Sequence, residues 1–462
     1  MIPTMETHSS RTRILLDLSH TYFSSYRTGI QRVVRSLCTE LPKITEELGL
    51  DFAAIVLKND EFVYVDLFEE QERQEPQTHK ENVIQHCPNW YLYGAKSICS
   101  IIRLNILRRW LLPEPGHLGI FRHTNKIRNV ARRVLRRSPE PPRATMQVKF
   151  TPRDIIVMPD GYWVMMHIWD AVSQAKAQGA KVAVVVYDLI CITHPQFFGP
   201  GAQECFTRYL RALNEHADMA IAISRTVEFQ LRSKLSQLAT DNQRPPKCEN
   251  FRLGVTVENP DGDVRESVLN LLEDSDKPYL MVSTFEPRKN HKFVLDSFDV
   301  LWNRHPKLKL LLIGAIGWMS EEMIQRIHLH PRFGSQLLMI NDASDAEVQF
   351  CYENCRAVIY PSFVEGFGLP IIEALRNKKT TFASNTSIHR EVGKQYCEYF
   401  DLSEQNSLVS AVENWERSGC PKPSPTMDRL IVSWNESSRQ LVESVLTLSQ
   451  QNKYLRLSNH AA

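Results

Sequence analysis

No apolar run in the chain reaches the ~18 residues needed to span a bilayer. The most apolar stretch, "LKLLLIGAIGWM", is short and carries Lys309. The opening residues "MIPTMETHSSRTR" have no apolar centre of the kind a secretion signal needs. The protein is therefore expected to be soluble and cytoplasmic, or at most peripheral on the inner face of the plasma membrane. Cysteine is present but unpaired in pattern: ten are scattered, none forms Cys-x-x-Cys, and the nearest two are Cys351 and Cys355. Such a scatter fits reduced thiols in a cytosolic enzyme better than a disulfide framework. No strand is followed by Gly-x-Gly-x-x-Gly, which disfavours a dehydrogenase. Metal ligands are sparse too. "DGD" at Asp261 to Asp263 lies in a turn-rich stretch, and His328 and His330 lack further ligands at metal spacing. No metal is expected, and no nucleic-acid partner. The formal net charge of +2 says nothing by itself.

A chain of 462 residues is too long for one comfortable core, so two domains of roughly 200 residues each are expected. Short apolar runs ("RILLDL", "FAAIVL", "DIIVM", "VAVVVYD", "MAIAIS", "YLMVS", "LKLLLIG", "QLLMI", "AVIYPS", "TFAS") alternate with amphipathic stretches such as "GIQRVVRSLCTEL" and "FVLDSFDVLWNRH". That alternation predicts an α/β fold with doubly wound parallel sheets covered on both faces. Ser344 with Glu347 reads as a capping box, and Ser224 as a helix cap before "RTVEFQLRSKL". The segments "ATDNQRPPKCEN" and "VENPDGDVRES" read as the hinge between two such units. Residues from about 60 to 150 break the pattern and look like an insertion. The expected division is 1–255, 256–435, and a final helix at 436–462 packing back towards the first domain.

Two loops carry chemistry. In "YPSFVEGFGLPIIEAL" a buried strand gives way to a loop and then to a helix with Pro370 at its start, where a missing N–H costs nothing. Gly366 and Gly368 let the backbone approach a ligand. The free N–H groups of the first helical turn suit an anion such as phosphate. Glu365 and Glu373 would repel that phosphate, and are better placed to accept hydrogen bonds from sugar and ribose hydroxyls on either side of a diphosphate. Upstream, "YLMVSTFEPRKNHKFVLDSF" is again strand, loop and helix. Its loop offers Arg288 as a planar fork and Lys289 as a compact charge to phosphate oxygens, with both side chains facing the cleft. Cations at a strand's carboxyl end lie where open α/β sheets bind ligands.

The two loops in this order resemble the donor domain of retaining glycosyltransferases of family 4, which have the GT-B fold: two Rossmann-like domains facing across a cleft, the first (here 1–255) implied to receive the acceptor and the second (256–435) to bind the nucleotide sugar. The Glu-x7-Glu signature of that family matches Glu365 and Glu373. "LLIGAIGWMSEE", "SNTSIHREV", "YRTGIQRVVRSL", "DGYW", "YDLI" and "AISRTVEFQL" match further. The resemblance implies that Glu373 holds the donor ribose and Glu365 contacts the donor sugar. It also implies that Arg288 and Lys289 bind the diphosphate, with amides from Gly366, Phe367, Gly368 and Leu369, the Gly29 loop and Thr284 nearby. The chain departs from the family in three places. Ser283, Thr284 and Phe285 replace Gly-Arg-Leu, Thr28-Gly29 stands where a glycine pair is usual, and Tyr187-Asp188 replaces a His-Asp pair. Asp188 then lies in the sugar or acceptor pocket, with either His194 or His167 supplying an imidazole.

The activity so implied is transfer of a hexose, with mannose from GDP-mannose favoured and UDP-hexoses open, to a saccharide acceptor in cell-surface polysaccharide synthesis. Configuration is retained and no metal is needed. The other reading is a catalytically silent nucleotide-sugar-binding partner of a polysaccharide assembly, since fold alone does not establish activity. Residues 95–143 point to a membrane. They carry twelve basic residues, among them Arg132, Arg133, Arg136 and Arg137, against Glu114 and Glu140, with an apolar side at Ile101, Ile102, Leu104 and Trp110. A basic amphipathic stretch of this kind predicts binding to an anionic leaflet and a lipid-linked acceptor presented there.

Overall fold

The computed structural model describes residues 11–24, 29–67, 146–240, 244–256, 260, 262–273, 276–421, 423–424, 427 and 430–458, without the side chains of 448–458. The basic stretch 95–143, with the membrane reading it carries, lies outside these residues, as does Thr28.

Seven strands build the first sheet: β1 (Arg13–Asp17), β2 (Asp51–Lys58), β3 (Glu61–Val65), β4 (Asp154–Met158), β5 (Lys181–Val186), β6 (Met219–Ala222) and β7 (Lys247–Asn250). Their order is β3-β2-β1-β4-β5-β6-β7, parallel throughout except for β3. Six parallel strands build the second: β8 (Tyr279–Val282), β9 (Leu310–Ile313), β10 (Leu337–Ile340), β11 (Ala357–Tyr360), β12 (Thr381–Ser384) and β13 (Glu398–Phe400), in the order β10-β9-β8-β11-β12-β13. Continuous apolar runs such as Ile155–Met158 are buried along their length because helices cover both faces. Leu15, Ile156 and Val184 pack on one side of the first sheet, Ile14, Val157 and Val185 on the other. These are the doubly wound parallel sheets expected from the alternation, and the two together give the GT-B fold that the resemblance implied.

Strand order reverses once in each sheet, between β1 and β4 and between β8 and β11. At such a point the flanking loops run to opposite sides and leave a crevice at the strands' carboxyl ends.

An apolar seam joins the two units. Val33, Val34 and Leu37 of the Gly29–Glu47 helix share one cluster with Phe367, Ile371 and Leu375 of the second domain. Leu441, Val442 and Val445 of the terminal helix, Trp434–Ser458, belong to the same cluster. That helix also reaches the Gly29–Glu47 helix through Asn435, which donates to Glu40 at 3.0 Å, and through an Arg439–Glu47 ion pair.

Two sequence readings are corrected. "ATDNQRPPKCEN" is not simply hinge, because Lys247–Asn250 pairs with β6 as the edge of the first sheet. Its charged and amide residues hid it, since an edge strand needs only one buried side chain, here Cys248. Likewise Glu61–Val65 belongs to the sheet, antiparallel to β2, rather than to the insertion. The capping box at Ser344 and Glu347 and the Ser224 cap both form.

Candidate functional site

The β8/β11 switch point gathers the two loops singled out above. After β8 the chain runs through Ser283–Glu286 into a short turn, Pro287–Lys289. Asn290, at φ +59°, then opens the His291–Arg304 helix. Asparagine tolerates that left-handed conformation better than most residues. The loop after β9 lies on this segment: the Phe285 N–H donates to the Ala315 carbonyl at 2.9 Å, and the Gly317 N–H to the Phe285 carbonyl at 3.1 Å. Gly314 is required there, because a Cβ would stand 1.9 Å from the Ser283 carbonyl oxygen. The loop after β11 is tied in by the Phe363 N–H, which donates to the Arg288 carbonyl at 2.9 Å. It ends at Gly368, φ +113°, where the Leu369–Arg376 helix begins.

Within this frame Glu365 meets both cations. Its Oε2 lies 2.8 Å from Arg288 Nη1 and its Oε1 2.5 Å from Lys289 Nζ. Arg288 Nε is 2.9 Å from Glu286 Oε2, a carboxylate the sequence reading had not singled out. Lys289 also sits over the Tyr360 ring, 5.6 Å from its centroid. The expectation of cleft-facing cations is therefore qualified. The side chains of Arg288, Lys289 and Glu365 are only 17%, 11% and 9% exposed, because each charge is desolvated only as far as its partner compensates it.

Burial would raise the Glu365 pKa, but Lys289 and Arg288 outweigh it and hold the carboxyl well below the usual range. It is ionised at every physiological pH. Burial and then Arg288 push Lys289 down, while Glu365 and Glu286 overcome burial to raise Arg288. Burial also keeps two imidazoles neutral. His291, stacked on Phe285 at 4.3 Å, is pushed down to about 3. His389, whose Nδ1 is 3.0 Å from the Ser384 carbonyl oxygen, is pushed down to about 4.

Glu373 is not beside this cluster's cations. Its Oε1 pairs with Arg32 of the first domain at 2.6 Å and its Oε2 accepts from the Tyr352 hydroxyl at 3.0 Å. Gly366 makes a close approach, but to protein: a Cβ there would lie 2.1 Å from the Tyr187 carbonyl oxygen and 3.1 Å from Asp188 Cβ. The Ser224 hydroxyl donates to the Gly366 carbonyl at 2.9 Å. Glu391 accepts from the N–H groups of Arg225 and Thr226, both at 2.8 Å, and so caps a first-domain helix from the second domain. An aromatic contact flanks these: Phe197 stacks on Phe363 at 5.5 Å, and the Trp318 indole donates to the Phe197 carbonyl at 2.9 Å.

Asp188 thus faces the ion cluster. Burial raises its pKa while the Ile190 N–H, Arg288 and Lys289 oppose the rise. His194 stacks on Phe197 at 6.1 Å, at the edge of the aromatic contact. His167 is exposed and precedes the Ile168–Ala177 helix. Phe367 is buried, Gly29 opens its helix with open space around it, and Thr284 lines the Gly317 turn. The structure therefore joins Arg288, Lys289, Glu365, Gly366 and Asp188, and ties Glu373 to Arg32. Arg32, Glu286, Tyr352 and Ser224 were not foreseen as site residues. Arg32 lies in the "TGIQRVV" motif, yet a partner 341 positions away leaves no local signal. Among the described residues no group of three or more histidine, cysteine or acidic side chains could hold a metal ion, and no helix is long and apolar enough to cross a membrane.

Comparison with known proteins bears on the fold and the family. Residues 266–424 match the family model described as glycosyl transferases group 1. The serotype-specific mannosyltransferase WbdA of Escherichia coli is 26% identical over 312 residues, 64% of this chain and 38% of the relative. The O-antigen chain mannosyltransferase B of Escherichia coli is 34% identical over 116 residues, 25% of this chain and 30% of the relative. The chain thus spans well under half the length of the curated relatives it matches. Among solved structures, sucrose-phosphate synthase from Thermosynechococcus elongatus superposes with a TM-score of 0.52 at 15% identity, covering 98% of this chain and all of that one. The N-terminal domain of Candida albicans trehalose-6-phosphate phosphatase gives 0.57 at 11% identity, covering 96% and 99%. The second domain therefore carries a glycosyl transferases group 1 match on a GT-B fold, in a chain related to O-antigen mannosyltransferases.

Proposed function

We propose that the protein is a retaining hexosyltransferase that moves mannose from GDP-mannose to a saccharide acceptor without a metal. The observation that carries this reading is the cluster of Arg288, Lys289 and Glu365 at the β8/β11 switch point, beside the N-terminus of the Leu369–Arg376 helix. A nucleoside diphosphate leaving group gains charge as the glycosidic C–O bond breaks, and two cations fixed in a poorly hydrated crevice stabilise that charge without reorganising. Glu365, ionised between them, stands close to where the sugar becomes oxocarbenium-like. The acceptor hydroxyl attacks from the leaving-group face, and a diphosphate oxygen takes its proton. Only one carboxylate is then needed near the sugar, unlike the pair flanking the bond in a glycosidase. Glu373 holds the donor ribose. The names of the mannosyltransferase relatives support mannose as the sugar, and the basic residues of 95–143 support a lipid-linked acceptor at an anionic leaflet.

The test is release of nucleoside diphosphate from a panel of sugar nucleotides in the presence of saccharide acceptors, with the product's anomeric configuration read by NMR. GDP-mannose should turn over with retention, and Arg288→Ala and Lys289→Ala should remove the activity. Binding of a nucleotide sugar without turnover by any acceptor would favour the silent partner instead.

A further inference from the structure

Glu373 is the carboxylate given above to the donor ribose, yet both of its oxygens already accept from the protein. The Tyr352 hydroxyl donates to Oε2 at 3.0 Å, and Arg32 Nη1 donates to Oε1 at 2.6 Å. The two donors differ in kind. Tyr352 is buried on the Asp345–Asn354 helix, in the same domain as Glu373, so its hydroxyl is fixed. Arg32 comes from the first domain, and its side chain is 45% exposed against 15% for Glu373. The guanidinium is therefore the solvent-facing member of the group and the one a ligand meets first.

Packing holds the two backbones in place and leaves the Arg32 side chain free to move. Val33, Val34 and Leu37, which follow Arg32 on its helix, share an apolar cluster with Ile371 and Leu375, which stand on either side of Glu373. The ion pair thus joins two elements that are docked without it, and its rupture costs no more than an exposed pair is worth. Arginine sits on a long flexible stem and has five donors to redirect. Asp345, exposed in the first turn of the helix that carries Tyr352, attracts the same guanidinium. A displaced Arg32 therefore keeps a carboxylate nearby.

A carboxylate oxygen has a second lone pair, but Glu373 is mostly buried and Arg32 covers its open side. A ribose hydroxyl that donates to Oε1 takes the place of the guanidinium. We propose that Arg32 is a specificity-determining residue of the donor site: it occupies the Glu373 carboxylate when no nucleotide is bound, and the ribose hydroxyls of an entering nucleotide displace it. This rests on the reading above, in which Glu373 holds the donor ribose. The site then admits a ligand that replaces one cation with two hydroxyl donors, and resists an anion without them.

The test is calorimetric titration of GDP and of 2′,3′-dideoxy-GDP into the full chain as wild type, Arg32→Ala and Arg32→Gln, with melting temperatures showing that each is folded. GDP should bind about fivefold tighter to Arg32→Ala, the size of an exposed ion pair, and by a smaller factor to Arg32→Gln. Dideoxy-GDP has no hydroxyls to offer Glu373, so it should gain nothing, or bind more weakly to a site whose carboxylate has lost its cation. Unchanged or weaker GDP binding in both variants overturns the proposal, because Arg32 then does not compete with the ligand. An equal gain for dideoxy-GDP overturns it as well, because the effect then lies outside the ribose. Turnover of GDP-mannose by the wild type is measured alongside. No turnover with any saccharide acceptor, together with a gain confined to GDP, sinks the hexosyltransferase reading and upholds this one. No binding of GDP to any of the three chains overturns both.

Discussion

At the β8/β11 switch point Arg288 and Lys289 lie against Glu286 and Glu365, whereas at β1/β4 Asp17 and Asp160 lie with His20 and, among the described residues, no lysine or arginine partner. The backbone solution is the same in both: a parallel strand, a loop leaving its carboxyl end, and a helix returning. The side chains differ: one crevice holds two cations between two carboxylates, the other two buried carboxyl groups and a partly exposed imidazole. Their walls meet where Gly366 touches Tyr187 and Arg32 touches Glu373.

The sharpest contrast is expected from removing a charge at each crevice. Lys289→Ala leaves the buried Glu365 short of a partner and should cost about 3–5 kcal/mol of stability. His20→Gln, at a partly exposed side chain, should change stability by no more than about 0.5 kcal/mol. Denaturant unfolding of the two variants measures the difference, and equal losses would break the comparison.

Next in size is the contact that joins the two walls. In Gly366→Ala the new methyl meets the Tyr187 carbonyl, so the β11 loop must withdraw from the first domain. Misplacing reacting groups by about 1 Å costs about 100-fold in rate. Transfer should fall by that order while GDP still binds, which parallel kinetic and calorimetric measurements would show.

Within the donor crevice the two glutamates should separate. Glu373→Gln should weaken nucleotide binding about tenfold, the loss of one charge-assisted hydrogen bond. Glu365→Gln should chiefly lower kcat, because its charge opposes a cation that develops only in the transition state. Matching losses in affinity and rate for both variants would remove the division.

Much of this was legible in the sequence, and the boundary of legibility is physical. Most strands are buried on both faces and so appear as apolar runs. The edge strands β3, β7 and β13 were missed because a sheet edge requires little apolar surface. The cationic loop and the Glu-x7-Glu loop were visible because each is a local pattern. That Arg288 and Lys289 bind Glu365 was not, since the expectation set the cations against phosphate and the carboxylates against hydroxyls. The pairing follows only once the β8 and β11 loops are seen side by side. Arg32 with Glu373, Ser224 with Gly366 and His20 with Asp160 join residues remote in sequence, and no spacing rule reveals such pairs.

The smallest expected effect is on pH dependence, and it too differs between the crevices. His291 and His389 are held neutral, at about 3 and about 4 against an ordinary 6.5, so the unfolded chain binds more protons below 6.5. Their contribution to stability is complete above 6.5 and is lost as pH falls towards those values. Asp17, raised to about 7 chiefly by burial, behaves oppositely: its contribution is full below the ordinary 3.8 and is lost as pH rises through 7. Unfolding midpoints between pH 4 and 8 should show His291→Gln flattening the acidic fall and Asp17→Asn flattening the fall towards neutrality. Unchanged profiles in both variants would contradict the assignment.

The central claim, that the cations of the second domain form the diphosphate site, is tested most directly by calorimetric titration of GDP, UDP and ADP into the wild type, His20→Gln and the Arg288→Ala, Lys289→Ala double variant. The account predicts that a nucleoside diphosphate, GDP first, binds the wild type and His20→Gln alike and fails to bind a folded double variant. Binding that survives the loss of both cations, or no binding of any of the three to the wild type, would contradict it.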